Sequence, residues 1–437
     1  MAFKSLQDIQ PIQASETQFR NKVMTSKYDL ENIELPKSWS ALPLLTGGII
    51  LLAAGAFLSL FSGAGEGSGD KSVRFFMHSY LANFMFVMTI ALGALFFILI
   101  QFVSRAGWST SIRRIAELIM TTIPFLALFF LPILAILFAD YNVPYEWNVP
   151  KDGLPSVVKA KIEVGYLTRE WFTIRAALYF GLWIAIAFYF FSHSRKQDET
   201  GDVEHSLKRQ KWSGPSIVIF AFTVSFAAFD WIMSIDADWY STIFGVYVFA
   251  AGMMAFFATM IIISMSLQKA GKLRSFISVE HFHDMGKFMF GFIMFWSYIA
   301  FSQLLLYWYA NIPEETEWYR VRINPDYGWQ YIAYALIPLH FAIPFLGTIS
   351  RHVRRHRLGL TFWAVWVIVV HWLDMTFLVM PNSGPASLVP LAGHFLGGVG
   401  MFSVFLSFFL MRASNVPLVP MKDPRLPEAL TYANPIL

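Results

Sequence analysis

The chain has 437 residues, of which 56% are hydrophobic, 17% aromatic and 14% charged, with a formal net charge of +4 and no cysteine. Soluble domains carry roughly a quarter charged residues, so a chain this apolar would leave much greasy surface wet, and it reads as a membrane protein. The missing cysteine excludes disulfides, thiolate-ligated iron–sulfur clusters, CxxCH haem attachment and Cys-based zinc sites.

In chain order, a polar arm (1–39) comes first, with no cleavable signal peptide expected there. Ten runs follow, each near the roughly 20 apolar residues that ~30 Å of hydrocarbon requires. They fall at 40–62, 74–103, 112–139, 168–192, 214–234, 239–267, 283–309, 331–350, 358–380 and 390–412. Hydrocarbon offers the backbone no other partner, so all are expected to be helices: an all-α polytopic protein. Pro124, Pro132, Pro338 and Pro344 predict kinks inside them. If the N-terminus is cytoplasmic, the inner segments hold three times as many Lys and Arg as the outer ones. The positive-inside rule then puts both termini in the cytoplasm. "GAGEGSGDKS" (63–72) resembles a phosphate-binding loop only faintly, because Asp70 interrupts the Gly-Lys and no strand precedes it.

Charge inside a membrane is expensive, about 2.5–3.5 kcal/mol at mid-span on insertion scales, so each such residue asks for a reason. His78 lies in the second run, Glu117 in the third, Arg175 in the fourth and Asp230 near the outer end of the fifth. Glu117 has Arg113 and Arg114 a turn away as pairing partners. Asp236 and Asp238 are expected to cap the turn into the sixth run. The seventh brings His283, Asp284 and Lys287 at its inner end, where Lys287 can snorkel, and Tyr298, Ser302 and Gln303 further out. The outer connection 310–330 carries Trp318, Tyr319, Tyr327 and Trp329, which suit an interfacial belt or a docking surface. His340 falls mid-way along the eighth run, His371 and Asp374 lie one turn apart on one face of the ninth, and His394 sits in the tenth. Asp230, Arg175 and the His371–Asp374 pair are the strongest functional candidates, against a buried Arg175–Asp230 ion pair as the structural alternative. Runs two to five and six to nine form two four-helix sets of the same orientation, whose last members carry Asp230 and Asp374 at similar depth.

Three segments carry a resemblance: "DWIMSIDADWYSTIFGVY" (230–247), "EHFHDMGKFMFGFIMFWSYIAFSQLLLYWYANIPEETEWY" (280–319) and "VHWLDMTFLVMP" (370–381). They resemble a membrane subunit of bacterial alternative complex III, a quinol:cytochrome c or quinol:electron-acceptor oxidoreductase. The match is to the second of its two homologous quinone-binding-type subunits, often called F, within the wider NrfD/polysulfide-reductase membrane-subunit family. "YANIPEETEWY" (309–319) is the most specific part, and the N-terminal arm matches least. The resemblance implies two four-helix bundles flanked by the first and tenth spans. The chain then divides into the arm (1–39), a peripheral helix with an outer loop (40–73), the two bundles (74–234 and 235–380), the tenth helix (381–412) and a cytoplasmic tail (413–437). It implies a multi-pass subunit of the bacterial inner membrane with no metal or covalent cofactor of its own. The implied partners are the homologous membrane subunit, an iron–sulfur subunit, multihaem and monohaem cytochrome c subunits and, as a further candidate, a terminal oxidase. Those partners would carry the iron–sulfur clusters and haem c. The lipid bilayer surrounds the chain and no nucleic acid is expected.

Quinol oxidation needs an apolar slot, hydrogen-bond partners for two oxygens and a titratable group for the protons. His371 and Asp374 fit the last two needs, with Asp230 and Arg175 setting the local charge; His340, Tyr298 and Gln303 are candidate quinone-pocket residues. Glu117, His283 and Lys287 are candidate entries for a proton path from the inner half. Whether this subunit itself turns over quinol is left open. The rival classes are a proton-coupled secondary transporter, a haem b anchor using His78, His371 and His394, and a purely structural anchor.

Overall fold

A computed structural model describes residues 32–36, 38–61, 69–139, 141–148, 153–385 and 387–434. Most of the N-terminal arm and of the 63–72 loop lies outside them. Among the described residues there is no strand, and ten helices are long and apolar enough to cross a membrane, so the chain is an all-α, multi-pass membrane protein. We number them α1 (Ala41–Phe61), α2 (Gly69–Val103), α3 (Thr110–Phe138), α4 (Arg169–Thr200), α5 (Glu204–Trp231), α6 (Phe244–Lys269), α7 (Val279–Ala310), α8 (Gln330–Thr348), α9 (Arg357–Val379) and α10 (Leu388–Ala413).

Proline places the breaks. Helix α3 runs in three segments, Thr110–Met120, Ile123–Phe129 and Leu131–Phe138, and Pro124 and Pro132 each sit at the start of a new one. Helix α8 is α-helical at Gln330–Leu336, widens into a π-helical turn at Ile337–Ala342, and resumes at Ile343–Thr348, with Pro338 and Pro344 at the joins. Trp366 of α9 donates to the Leu339 carbonyl in that turn (2.8 Å). Hydropathy underestimates α4 and α5, which extend past the apolar runs to meet at Gly201, a left-handed cap with φ 75°. A helix need not stop where the bilayer does; here the polar ends pair with each other, Gln197 bonding Ser206 at 2.8 Å.

Helices α2 to α5 form one four-helix bundle and α6 to α9 the other. The bundles meet where α2 packs on α6 and α9, so α2 and α6 are the most enclosed helices. Helix α1 lies outside both and packs along α10. Their backbones touch through glycine: a Cβ added at Gly55 would stand 2.7 Å from the Gly393 carbonyl oxygen. Small residues are how membrane helices come this close when lipid supplies no hydrophobic drive. The tail (413–434) folds over one end of the molecule, the tail end, where Leu418 N donates to the Ile33 carbonyl at 2.7 Å. The connecting residues 141–148, 153–167 and 311–329 cover the opposite, loop end.

Two expectations change at the loop end. Trp318 and Trp329 are buried, not presented for docking. Trp318 stacks on Trp239 with ring centroids 4.7 Å apart, and Arg322 lies 3.5 Å over its ring. The Trp329 indole donates to the Gly384 carbonyl at 2.8 Å. An aromatic-rich connection long enough to fold back buries its rings against the chain's own helix ends. Nor does Asp236 cap the sixth helix, whose N-cap is Ile243. Asp236 accepts from Asn382 and pairs with Arg322 (3.3 Å), and Arg322 also donates to the Leu378 carbonyl at 2.7 Å. This pair ties the α5–α6 turn to the end of α9. Burial raises the Asp236 carboxyl above its ordinary pKa and takes Arg322 down to about 10, so desolvation outweighs the pairing at both partners.

Candidate functional site

Asp374 is fully buried near the loop end of α9. The Tyr247 hydroxyl on α6 donates to its Oδ1 at 2.5 Å, and the Trp296 indole on α7 donates to Oδ2 at 3.1 Å. His340 Nε2, on the π-helical turn of α8, lies 3.7 Å from Oδ2, and its imidazole lies against Trp296, tilted by 30° with centroids 3.5 Å apart. All four helices of the second bundle therefore converge on one carboxyl group. Among the described residues it has no lysine or arginine in an ion pair. Both ring nitrogens of His340 lack a hydrogen-bond partner. The π turn accounts for the placement, since it adds a residue per turn and swings a side chain to a face that a regular helix would not give it.

Beside this cluster, between α7 and α8, lies a largely apolar cleft of about 770 Å³. Tyr247 and Trp296 form part of its wall, so Asp374 sits one side chain behind it. Tyr298 and Gln303 also line it. Tyr298 is 65% exposed, beside exposed Phe301, Tyr334 and Ile337, so the mouth opens on the apolar flank of the molecule. Gln303 is buried in the wall, accepting from Ser241 (3.0 Å) and donating to Tyr319 (3.3 Å), whose phenol burial pushes up to about 12. The cleft thus offers an apolar space of small-molecule size with a few polar groups in its wall.

The other candidates separate. Arg175 and Asp230 form a bidentate pair (Nε to Oδ2 at 2.8 Å, Nη2 to Oδ1 at 2.9 Å), Tyr179 donates to Oδ2 at 2.8 Å, and the guanidinium lies 4.2 Å over Tyr166. Three donors thus hold that carboxylate, an arrangement that matches the buried ion pair of the structural alternative. His371, one turn from Asp374, turns to α2 instead and bonds Thr89 at 2.9 Å. The structure brings Asp374 to His340 and not into a hydrogen bond with His371. His394 ties α10 to Ser79 and Thr376, both at 2.9 Å, and His78 bonds the Arg74 carbonyl at 2.8 Å. The three histidines of the haem b rival thus serve three separate contacts. Among the described residues no group of three or more His, Cys, Asp or Glu could hold a metal.

Glu117 accepts from Arg114 (2.9 Å), Ser194 (2.7 Å) and Arg209 (3.4 Å) at the tail end of the first bundle. His283 and Lys287 lie in the second, where Lys287 pairs with Asp284 and bonds Asn434 at 2.8 Å. The three residues of the expected inner path make their contacts in different bundles. The sequence alone does not single out Tyr247 and Trp296, apolar-looking positions in greasy runs, nor Asp198, which accepts from Arg114 at 2.7 Å, nor Arg209 and Asp423, which lie 3.6 Å apart in the extended end of α5 and the tail. A buried carboxylate's need for donors is the signal that pointed to such partners, but it does not say which helix supplies them. No protein-family model and no curated protein matches the chain.

Proposed function

We propose that this chain is a membrane subunit of a bacterial respiratory quinol:electron-acceptor oxidoreductase of the alternative complex III type, contributing a quinone-type pocket and a proton-handling carboxyl group. The observation that carries the reading is the apolar cleft between α7 and α8 ending at the Tyr247–Trp296–Asp374–His340 cluster. A quinol headgroup in the cleft would donate a hydroxyl to the Tyr247 oxygen and pack its ring against Trp296, and its tail would leave by the apolar mouth. Asp374, hydrogen-bonded to both wall residues, is one step from a proton released there, and His340 stands beside it as the second group. Electrons would leave to iron–sulfur clusters and haem c on partner subunits. In this reading the inner-membrane orientation follows the positive-inside excess, with both termini cytoplasmic and the loop end facing outward. Asp230 and Arg175 belong to the scaffold.

The test is a photoactivatable quinone analogue on the assembled complex, with labelled peptides mapped. Labels on 294–304 and 333–341, competed by unlabelled quinol, support the pocket. Labels confined to another subunit would leave this chain as a scaffold.

A further inference from the structure

At the tail end, the last turn of α2, the first turn of α5 and residues 423–425 of the tail enclose a pocket of about 280 Å³. Arg105, Arg113 and Arg425 line it together with Asp423. Arg113 is 2% exposed. Its Nη1 donates to Asp423 (3.2 Å) and its Nη2 to the Ala106 carbonyl and Thr110 (both 2.9 Å), while its Nε has no partner. Arg425 pairs through Nε with Glu428 (3.3 Å), and its buried Nη1 also has no partner. Asp423 is committed: besides Arg113 it accepts the Arg425 backbone N–H (3.0 Å) and lies 3.6 Å from Arg209. Guanidinium donors thus outnumber the acceptors the chain supplies, and buried donors without acceptors are costly.

Arg105 adds a third guanidinium from an unusual backbone position. Its φ is 52°, in the left-handed turn that ends α2, where Arg105 N bonds the Phe102 carbonyl (3.2 Å) and Ala106 N the Gln101 carbonyl (2.9 Å). Glycine is the common residue at this cap, yet the nearest glycine, Gly107, stands two positions on. Val203 and Leu207, at the start of α5, line the pocket and are exposed and apolar, and Val103, the exposed last residue of α2, lies next to the lining residue Phe102.

We infer that this pocket binds the phosphate of an anionic phospholipid, with its acyl chains lying along α2 and α5. Guanidinium groups match phosphate oxygens in planar, bidentate fashion, and basic pockets at the ends of membrane helices suit anionic headgroups. The exposed apolar rim favours a lipid over a free anion. The inference stands apart from the proposed function, since it uses none of the cleft residues.

The full-length chain, purified and delipidated in detergent, is mixed in turn with phosphatidylglycerol, phosphatidylcholine and inorganic phosphate; retention is read by native mass spectrometry and stability by thermal unfolding. Phosphatidylglycerol is expected to be retained and to raise the unfolding midpoint above the other two additions. Arg105→Gly relieves the left-handed strain while removing a donor. It should unfold at a higher temperature without lipid, yet retain phosphatidylglycerol about fivefold less well. Arg425→Gln should weaken retention to a similar degree. Equal retention of the two lipids, or wild-type retention in both variants, overturns the site. Stabilisation by inorganic phosphate equal to that by phosphatidylglycerol overturns the lipid assignment in favour of a free-anion site.

Discussion

Asp230 and Asp374 sit at comparable depth on the last helix of each bundle, and their neighbours give them different work. Asp230 has a bidentate guanidinium and a phenol; Asp374 has a phenol, an indole and a nearby imidazole. Asp230→Asn leaves Arg175 without its counter-charge, and breaking a buried pair typically costs 3–5 kcal/mol. Since the Arg175 side chain is 17% exposed, a loss of about 3 kcal/mol is expected, at the lower end of that range. Adding Arg175→Gln should recover part of it, read by thermal unfolding of single and double variants. Asp374→Asn retains an oxygen that can accept one of the two donors and no longer takes up a proton. If the chain serves in the proposed respiratory assembly, that assembly should form with normal haem content while turnover falls about a hundredfold or more. Normal turnover in an assembled Asp374→Asn complex would remove the proton-handling role. His340→Gln is expected to lower turnover more than His371→Gln, because His340 is the imidazole beside Asp374, while His371 serves Thr89.

Glycine and proline set the behaviour of whole helices. Helix α1 is held almost entirely by its contact with α10, and at Gly55 the opposing atoms are backbone, which cannot yield. Gly55→Val should therefore push α1 off α10 and cost about 1–3 kcal/mol, the range for overpacking. Gly47→Ala is the control: nothing lies within 4 Å of an added Cβ there. It should be neutral or stabilising by up to ~1 kcal/mol through helix propensity. Opposite results for the two variants in thermal unfolding would show that α1 is not seated on α10 through glycine. In α8 the π turn sets where His340 points. Deleting Leu339 would remove the extra residue and close the turn to a regular α-helix, taking His340 off the face it now holds while the flanking turns keep their register. Folding is expected to survive, with quinone-analogue labelling of 333–341 lost.

Across the whole molecule, orientation is the property on which a proton-releasing site depends. Cysteines at Ser156 and Thr316, on the loop end, are expected to react with an impermeant label from outside. Cysteines at Ser275 and Lys208, on the tail end, should react only after permeabilisation; Lys208 is exposed, whereas nearby Ser206 is buried and would label poorly from either side. Reversal of both pairs would invert the molecule and turn the cleft toward the cytoplasm. The spans were legible in the sequence to within a few residues, apart from the polar extensions of α4 and α5. The Arg175–Asp230 pair and the Glu117–Arg114 pair were legible too, since each charge in a greasy run needs an opposite charge at its own depth.

By itself, the sequence determined the class, the ten helices and their breaks. A bilayer admits only helices of a certain length and apolarity, and proline interrupts them locally, so both signals are written along the chain. The tertiary structure decided which faces meet. Spacing put His371 and Asp374 on one side of α9, but only packing separated their partners, sending one to Thr89 of α2 and the other to Tyr247, Trp296 and His340. Packing likewise buried Trp318, which composition alone had placed at a surface. A single helix records the direction of each side chain, and the neighbour waiting there depends on how ten helices share one interior.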